Sequence, residues 1–141
     1  MRQCIKPRAL AIATLLLATS AATWAFASVT QKGSFYAVEV TTATDDGGDV
    51  VATIEASGRG GYHCNTLYPW KLTVEAPDGV QLSKKKFRKN DASQFGESKV
   101  VFRVPYRTSG RAGQIRAELK MSFCDEKQCQ MKTLDLSWPA G

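Results

Sequence analysis

The 141-residue sequence contains a single histidine, His63, and this scarcity excludes most chemistry that depends on imidazole. A serine triad would use the only histidine, and no Gly-x-Ser-x-Gly motif is present, so hydrolase chemistry is not expected. The longest apolar run, residues 9–18, is shorter than the roughly 20 residues that span a bilayer. No window of helical length carries an apolar stripe of 3.6-residue period, which argues against an α-helical domain.

Acidic residues are absent from residues 1–27. This segment carries three basic residues ahead of its apolar run: Arg2, Lys6 and Arg8. Ala25 and Ala27 supply the small-x-small pattern that precedes cleavage of a secretory signal peptide. We therefore predict a cleaved signal peptide over residues 1–27 and one soluble mature domain over residues 28–141, without a transmembrane segment; an uncleaved anchor is the alternative. Export would place the domain in an oxidising compartment, a bacterial periplasm or the extracellular space.

Positive charge is modest once that segment is removed. The full chain carries a formal net charge of +6, and loss of three basic and no acidic residues leaves +3. Such an excess favours solubility and does not indicate a nucleic-acid partner. The densest basic run is residues 84–89, which we interpret as a solvated edge strand whose lysines discourage sheet-to-sheet association. Binding of anionic lipid, polysaccharide or an acidic partner is the alternative.

Period-two alternation of apolar and polar residues dominates the mature sequence and is typical of half-buried strands. Six segments show it clearly: 36–40, 50–56, 70–76, 100–106, 115–123 and 134–138. Val80 and Leu82 add a short one, and residues 45–49 form a turn that lacks the spacing of a calcium loop. The pattern predicts an all-β fold, an immunoglobulin-like antiparallel β-sandwich of about seven strands, with a closed barrel as the alternative.

Two of the mature cysteines, Cys124 and Cys129, are separated by four residues. Cys124 ends one predicted strand and Cys129 begins the next. A four-residue loop is common in hairpins, so we predict that the two cysteines lie opposite each other. The same register pairs apolar residues on one face: Leu119 with Leu134, Ala117 with Leu136, and Ile115 with Trp138.

Strand parity then places both thiols on the polar face, with Ser122 and Lys120 beside Cys124. Opposed Cα atoms lie roughly 4.5–5.5 Å apart, within reach of a disulfide. Closing so short a loop stabilises the fold by only about 2 kcal/mol. The placement suits thiol exchange better than structural cross-linking, and an inert hairpin disulfide is the alternative. The charged neighbours have opposing effects: Asp125 and Glu126 would disfavour a thiolate, whereas Lys127 and Lys120 would favour it.

The third cysteine, Cys64, leaves an odd number of thiols in the mature chain, which in an exported protein indicates an intermolecular disulfide or a free thiol. It is a possible third thiol that could attack the hairpin disulfide. Adjacent His63 would point to the opposite face of a strand, so we expect no His63–Cys64 dyad and interpret His63 as a hydrogen-bonded residue in a loop or at a strand edge.

A metal site is a further alternative. His63 and the three cysteines would form a Cys₃His set for zinc, and Met121 and Met131 could add soft sulfur for copper(I). The two methionines have opposite strand parity, however, and adjacent ligands are awkward. We therefore predict no metal and no cofactor.

Short motifs in the chain resemble the disulfide bond corrector family, which includes the periplasmic N-terminal domain of the thiol–disulfide interchange protein DsbD. The motifs are Gly61-Tyr62-His63, Tyr68-Pro69 and the closing hairpin from Ser122 to Cys129, and the resemblance covers roughly residues 34–138. It departs from the family in a cysteine gap one residue shorter and in Gln130-Met131, where an aromatic residue and a proline are expected.

The resemblance implies an immunoglobulin-like sandwich in which Cys124 and Cys129 form the redox pair. It also implies thiol–disulfide interchange, as in a protein-disulfide reductase, with a periplasmic thioredoxin-like or DsbD-type membrane partner. The alternative function is a non-enzymatic binding or assembly module in which the disulfide only holds the hairpin.

Overall fold

The computed structural model describes residues 28–110 and 113–141. The predicted signal peptide, residues 1–27, lies outside the described residues, and Cys4 lies there with it. Within the described ranges no helix is long and apolar enough to cross a membrane.

Eleven strands and one 3₁₀ turn make up the described secondary structure. In chain order they are β1 (Ser28–Lys32), β2 (Tyr36–Thr44), β3 (Val50–Gly58), β4 (His63–Cys64), β5 (Lys71–Glu75), β6 (Val80–Leu82), β7 (Lys86–Arg88), the turn Lys89–Asp91, β8 (Gln94–Phe95), β9 (Lys99–Thr108), β10 (Gln114–Cys124) and β11 (Cys129–Pro139). Seven of these strands have five residues or more and the other four are short.

The strands form two antiparallel sheets that pack face to face. The first has the order β1-β2-β3-β9-β6, with β8 also paired to β9, and the second has the order β11-β10-β5-β7, with β4 also paired to β10. The antiparallel β-sandwich predicted from the alternation is therefore confirmed, and the two separate sheets exclude the closed barrel among the described strands.

The core lies between the sheets because each long strand presents its apolar residues to one side. In β10 the odd-numbered residues from Ile115 to Phe123 are buried, and in β11 Leu134, Leu136 and Trp138 are buried opposite them. Trp70 and Phe102 are among the largest fully buried side chains. Burial of this apolar area is the main favourable contribution to folding.

The basic run at residues 84–89 contributes β7, which pairs only with β5 and forms one edge of its sheet. Phe87 is buried between exposed Lys86 and Arg88, and Lys84 pairs with Asp91. The edge-strand interpretation is confirmed: one aromatic side chain anchors the strand while its cations face solvent.

Candidate functional site

The β10–β11 hairpin has the predicted register. Cys124 lies opposite Cys129, and the three apolar pairs expected from the sequence are all present. The two sulfur atoms are bonded, and the Cα atoms of Cys124 and Cys129 are 3.9 Å apart, closer than the roughly 4.5 Å expected for an opposed pair. A disulfide therefore closes the tip of the hairpin.

The disulfide lies on the outer face of the second sheet, away from the core, as predicted. Cys129 is exposed and Cys124 is partly buried. Met131, two residues further along the same face of β11, is 72% exposed. A solvent-borne thiol can therefore approach the disulfide from the side of Cys129.

Ser122 departs from the predicted exposure of this face. Its strand parity is outward, yet its side chain is buried. The cause is Asn65, whose Nδ2 donates to Ser122 Oγ at 3.3 Å and whose backbone N–H donates to the Ser122 carbonyl at 2.9 Å. The segment after β4 thus covers β10 just beyond the disulfide.

Strand β4 extends the hairpin by a third strand at the level of the disulfide. His63 lies opposite Cys124, and Cys64 lies opposite Phe123. His63, Cys124 and Cys129 therefore form one row across three strands on the outer face, which we call the outer row. His63 is exposed, and among the described contacts its imidazole makes no side-chain hydrogen bond, contrary to the expectation of a hydrogen-bonded residue.

Cys64 faces the opposite side of the sheet. Its side chain is completely buried, and its Sγ donates to the Ala56 carbonyl at 3.7 Å. Burial raises the pKa of the Cys64 thiol from an ordinary 9.0 to about 11, against smaller opposing effects of backbone hydrogen bonds. The fold does not bring Cys64 to the hairpin disulfide: the thiol is free and buried on the core face of the sheet, whereas the disulfide lies on the outer face.

The same orientation of Cys64 separates the proposed zinc ligands, because His63 and the hairpin cysteines face outward while Cys64 faces the core. In the part of the chain that the structure describes, no group of three or more histidine, cysteine or acidic side chains is placed to hold a metal ion. Met121 is buried and Met131 is exposed, so the two thioethers lie on opposite faces, as their parity predicts.

The position of β4 depends on a close backbone approach at Gly58, the last residue of β3. A Cβ atom on Gly58 would lie 1.9 Å from the Tyr62 carbonyl oxygen, so only glycine fits without displacing the chain. Gly60 and Gly61 have positive φ angles of 61° and 84° and turn the chain into β4. The Cys64 N–H then donates to the Glu97 carbonyl at 2.9 Å, so β4 is held on both edges.

The charges near the disulfide are largely engaged elsewhere. The Asp125 carboxylate accepts the backbone N–H groups of Lys127 and Gln128 at 2.8 and 2.7 Å, and these bonds lower its pKa. Gln128 Nε2 donates to Tyr62 Oη at 3.1 Å, which ties the hairpin loop to the residue before His63. Lys120 pairs with Glu118 at 3.6 Å. Asp125 is thus bonded to the loop amides and Lys120 is paired with Glu118, while the side chains of Glu126 and Lys127 are exposed.

His63 is the neighbour of the disulfide that reasoning from the sequence missed. The loop length alone brought Cys124 and Cys129 together, whereas the approach of His63 requires the pairing of a two-residue strand with a distant one. The sequence contained one indication of this position, which is strand parity. If Cys64 is a buried strand residue, the adjacent His63 must face outward.

No protein-family model matches the chain, and no curated protein matches it. Among solved structures, the chain is similar to the GAE domain of GGA2p from Saccharomyces cerevisiae, with 9% identity, a TM-score of 0.48, and coverage of 82% of this chain and 98% of that one. It is also similar to the GAE domain of yeast GGA1, with 12% identity, a TM-score of 0.48, and coverage of 81% and 100%.

A third similar structure is the N-terminal periplasmic domain of ScsB from Proteus mirabilis. The identity is 15% and the TM-score 0.50, and the match covers 82% of this chain and 52% of that one. The chain therefore spans about half the length of that structure. At 15% identity this last match describes the fold alone.

Proposed function

We propose that this chain is an exported redox domain that exchanges its Cys124–Cys129 disulfide with the thiols of a partner protein. The observation that carries the proposal is the position of the disulfide on the outer face, with Cys129 exposed and Cys124 partly buried. Exchange requires a sulfur atom that an attacking thiolate can reach. The similarity in fold to a periplasmic domain supports the compartment that the predicted signal peptide suggests, the bacterial periplasm.

The disulfide is a poor structural cross-link, which favours exchange over an inert role. Eleven paired residues already join β10 to β11, and the loop between the cysteines has only four residues. Closing so short a loop contributes about 2 kcal/mol or less to stability. Reduction therefore leaves the hairpin paired and the core intact.

Exposure indicates which sulfur is attacked. A partner thiolate approaches Cys129 Sγ and forms a new S–S bond there, while the Cys124–Cys129 bond breaks and its electron pair leaves on Cys124 Sγ. A second partner thiolate then attacks the partner's own sulfur in the mixed disulfide and releases the Cys129 thiolate. The partner is oxidised to a disulfide, and this chain gains two electrons and, from solvent, two protons. In the opposite direction Cys129 attacks a partner disulfide and Cys124 resolves the intermediate.

The partner that this chemistry requires is a dithiol or disulfide protein with an accessible sulfur of its own. A periplasmic thioredoxin-like protein or a DsbD-type membrane protein meets that requirement. The corresponding activity is thiol–disulfide interchange of the protein-disulfide reductase type.

Redox equilibrium tests the proposal directly. Residues 28–141 are equilibrated in dithiothreitol and glutathione buffers of graded potential, and the free thiols are alkylated and counted by peptide mass spectrometry. We expect a reduction potential above about −300 mV, since structural disulfides lie below that value. A potential far below it would contradict exchange and support the binding or assembly module.

Single-cysteine variants test which sulfur reacts. We expect Cys124→Ala, which leaves the exposed Cys129 thiol, to form a mixed disulfide with oxidised glutathione about tenfold faster than Cys129→Ala, because reaction rates follow thiolate access. Equal rates in the two variants would contradict attack at Cys129.

A further inference from the structure

The outer row places one titratable side chain directly beside the sulfur that must leave during exchange. His63 on β4 lies opposite Cys124 on β10, and directly opposed residues have Cβ atoms about 4.5–5.5 Å apart. Cys129 lies one strand further away, and each strand adds about 4.8 Å. The histidine is therefore closer to the leaving sulfur than to the attacked one.

We propose that His63 is the charge partner of Cys124, its imidazolium stabilising the thiolate that forms on Cys124 when a partner attacks Cys129. The inference rests on the proposed exchange function and adds a pH dependence to it. Histidine is the side chain that most often supplies a switchable positive charge in proteins, and a pH series tests whether His63 does so here.

The electron and proton balance is complete with the groups present. The partner thiolate supplies the electron pair of the new S–S bond at Cys129, and the electron pair of the broken bond goes to Cys124. The His63 imidazolium then transfers a proton to the Cys124 thiolate, giving a thiol and a neutral imidazole. Solvent restores the proton to His63.

The other charged side chains near His63 are bonded elsewhere or exposed in the loop. From the hairpin, Asp125 is bonded to the loop amides. Exposed Glu126 and Lys127 lie beyond it in the loop. On the other edge of β4, Glu97 accepts the Cys64 amide with its backbone carbonyl, and its side chain is exposed. Tyr62, just before His63, and Asn65, two residues after it, carry neutral side chains.

Contacts on both edges of β4 also fix the position of His63 relative to Cys124. The β4 backbone is fixed by the Glu97 contact on one edge and by pairing with β10 on the other. The Tyr62 hydroxyl is bonded to Gln128 of the hairpin loop. His63 is therefore held in register with Cys124 although its own side chain is exposed.

The test measures each thiolate separately. In a Cys129→Ala background, the rate of Cys124 alkylation by iodoacetamide is followed from pH 5 to 9 with and without His63→Gln, with the labelled peptide identified by mass spectrometry. A positive charge beside a thiol favours the thiolate and lowers the pH at which it forms. We expect His63→Gln to slow alkylation at pH 6 by about three- to tenfold and to move the midpoint to higher pH.

The matched control is the same substitution in a Cys124→Ala background. Because Cys129 is one strand further from His63, we expect its alkylation to change less than twofold. His63→Lys, which keeps a positive charge opposite Cys124, should retain fast alkylation of Cys124. Raising the salt concentration to about 1 M should reduce the effect of His63, since the Debye length then falls to about 3 Å.

Equal slowing of both cysteines by His63→Gln, or no change in either, would overturn the inference. These alkylation rates are measured on isolated thiols and do not depend on exchange with a partner. A reduction potential in the range of structural disulfides would instead reject the proposed function while leaving the alkylation rates as they are, so the two failures are distinguishable.

Discussion

Cys64 and Cys124 lie on neighbouring strands of one sheet, one register row apart, and their environments are opposite. Cys64 is completely buried, and burial raises the pKa of its thiol to about 11. Cys124 is partly buried on the outer face, bonded to exposed Cys129 and placed opposite His63. Two cysteines can therefore be close in space and still have opposite surroundings. Strand parity determines which of them faces the core and which faces the outer side of the sheet.

The largest effect should come from truncating Phe123, which lies opposite Cys64 on the inner face of the sheet. Phe123 is fully buried, and its ring lies 5.5 Å from Trp70 and 6.0 Å from Phe35, centroid to centroid. Phe123→Ala should lower the free energy of unfolding by about 3–5 kcal/mol through lost burial and a residual cavity. Urea denaturation measures the change.

The matched control on the outer face is Met131→Ala, which removes a side chain that is 72% exposed. It should change stability by less than about 0.5 kcal/mol. A similar loss in both variants would show that the two faces are not energetically distinct.

A smaller effect should follow from displacing β4, the strand that carries both Cys64 and His63. Gly58→Ala would bring a methyl group to 1.9 Å from the Tyr62 carbonyl oxygen, so the chain must shift. We expect a loss of about 1–3 kcal/mol, as for overpacked sites, together with faster alkylation of Cys64 in the native protein.

Gly96→Ala is the control for this substitution, because no atom lies within 4 Å of a Cβ built there. It should alter stability by less than about 0.5 kcal/mol. Unchanged stability and unchanged Cys64 protection in Gly58→Ala would contradict the close approach of β3 and β4.

The smallest effect concerns the pH dependence contributed by Cys64. Its folded pKa of about 11 lies above the ordinary 9.0, so the unfolded chain releases the proton first as the pH rises. The stabilisation is complete below pH 9 and is lost as the pH rises toward 11. The difference in unfolding free energy between wild type and Cys64→Ala, measured from pH 8 to 11, isolates it; a constant difference would contradict burial of the thiol.

The fold class and the hairpin were predictable because their signals are local. Alternation identifies the long strands, and the four-residue loop fixes the register of Cys124 with Cys129 without reference to the rest of the molecule. The basic run was similarly readable, since lysines around one aromatic residue are typical of an edge strand. These features depend on contacts between residues close in sequence.

The remaining features depend on pairing between distant segments. Strand β4 has two residues, too few for a periodic pattern, and the edge strand β1 is mostly polar. The burial of Ser122 arises from Asn65, 57 residues earlier in the chain. The direction of Cys64 and the approach of His63 to Cys124 follow from the same pairing, so the candidate site was predicted only in its hairpin half.

The long ribbon formed by β10 and β11 has a consequence for how this protein could diversify. Eleven residue pairs join its two strands, so we expect the ribbon to stay paired when the disulfide is reduced. His63 and Met131 on this face are exposed, so substitutions there should change the surroundings of the disulfide at little cost to stability. We therefore expect the reduction potential of the proposed exchange to be adjustable by single substitutions on the outer face.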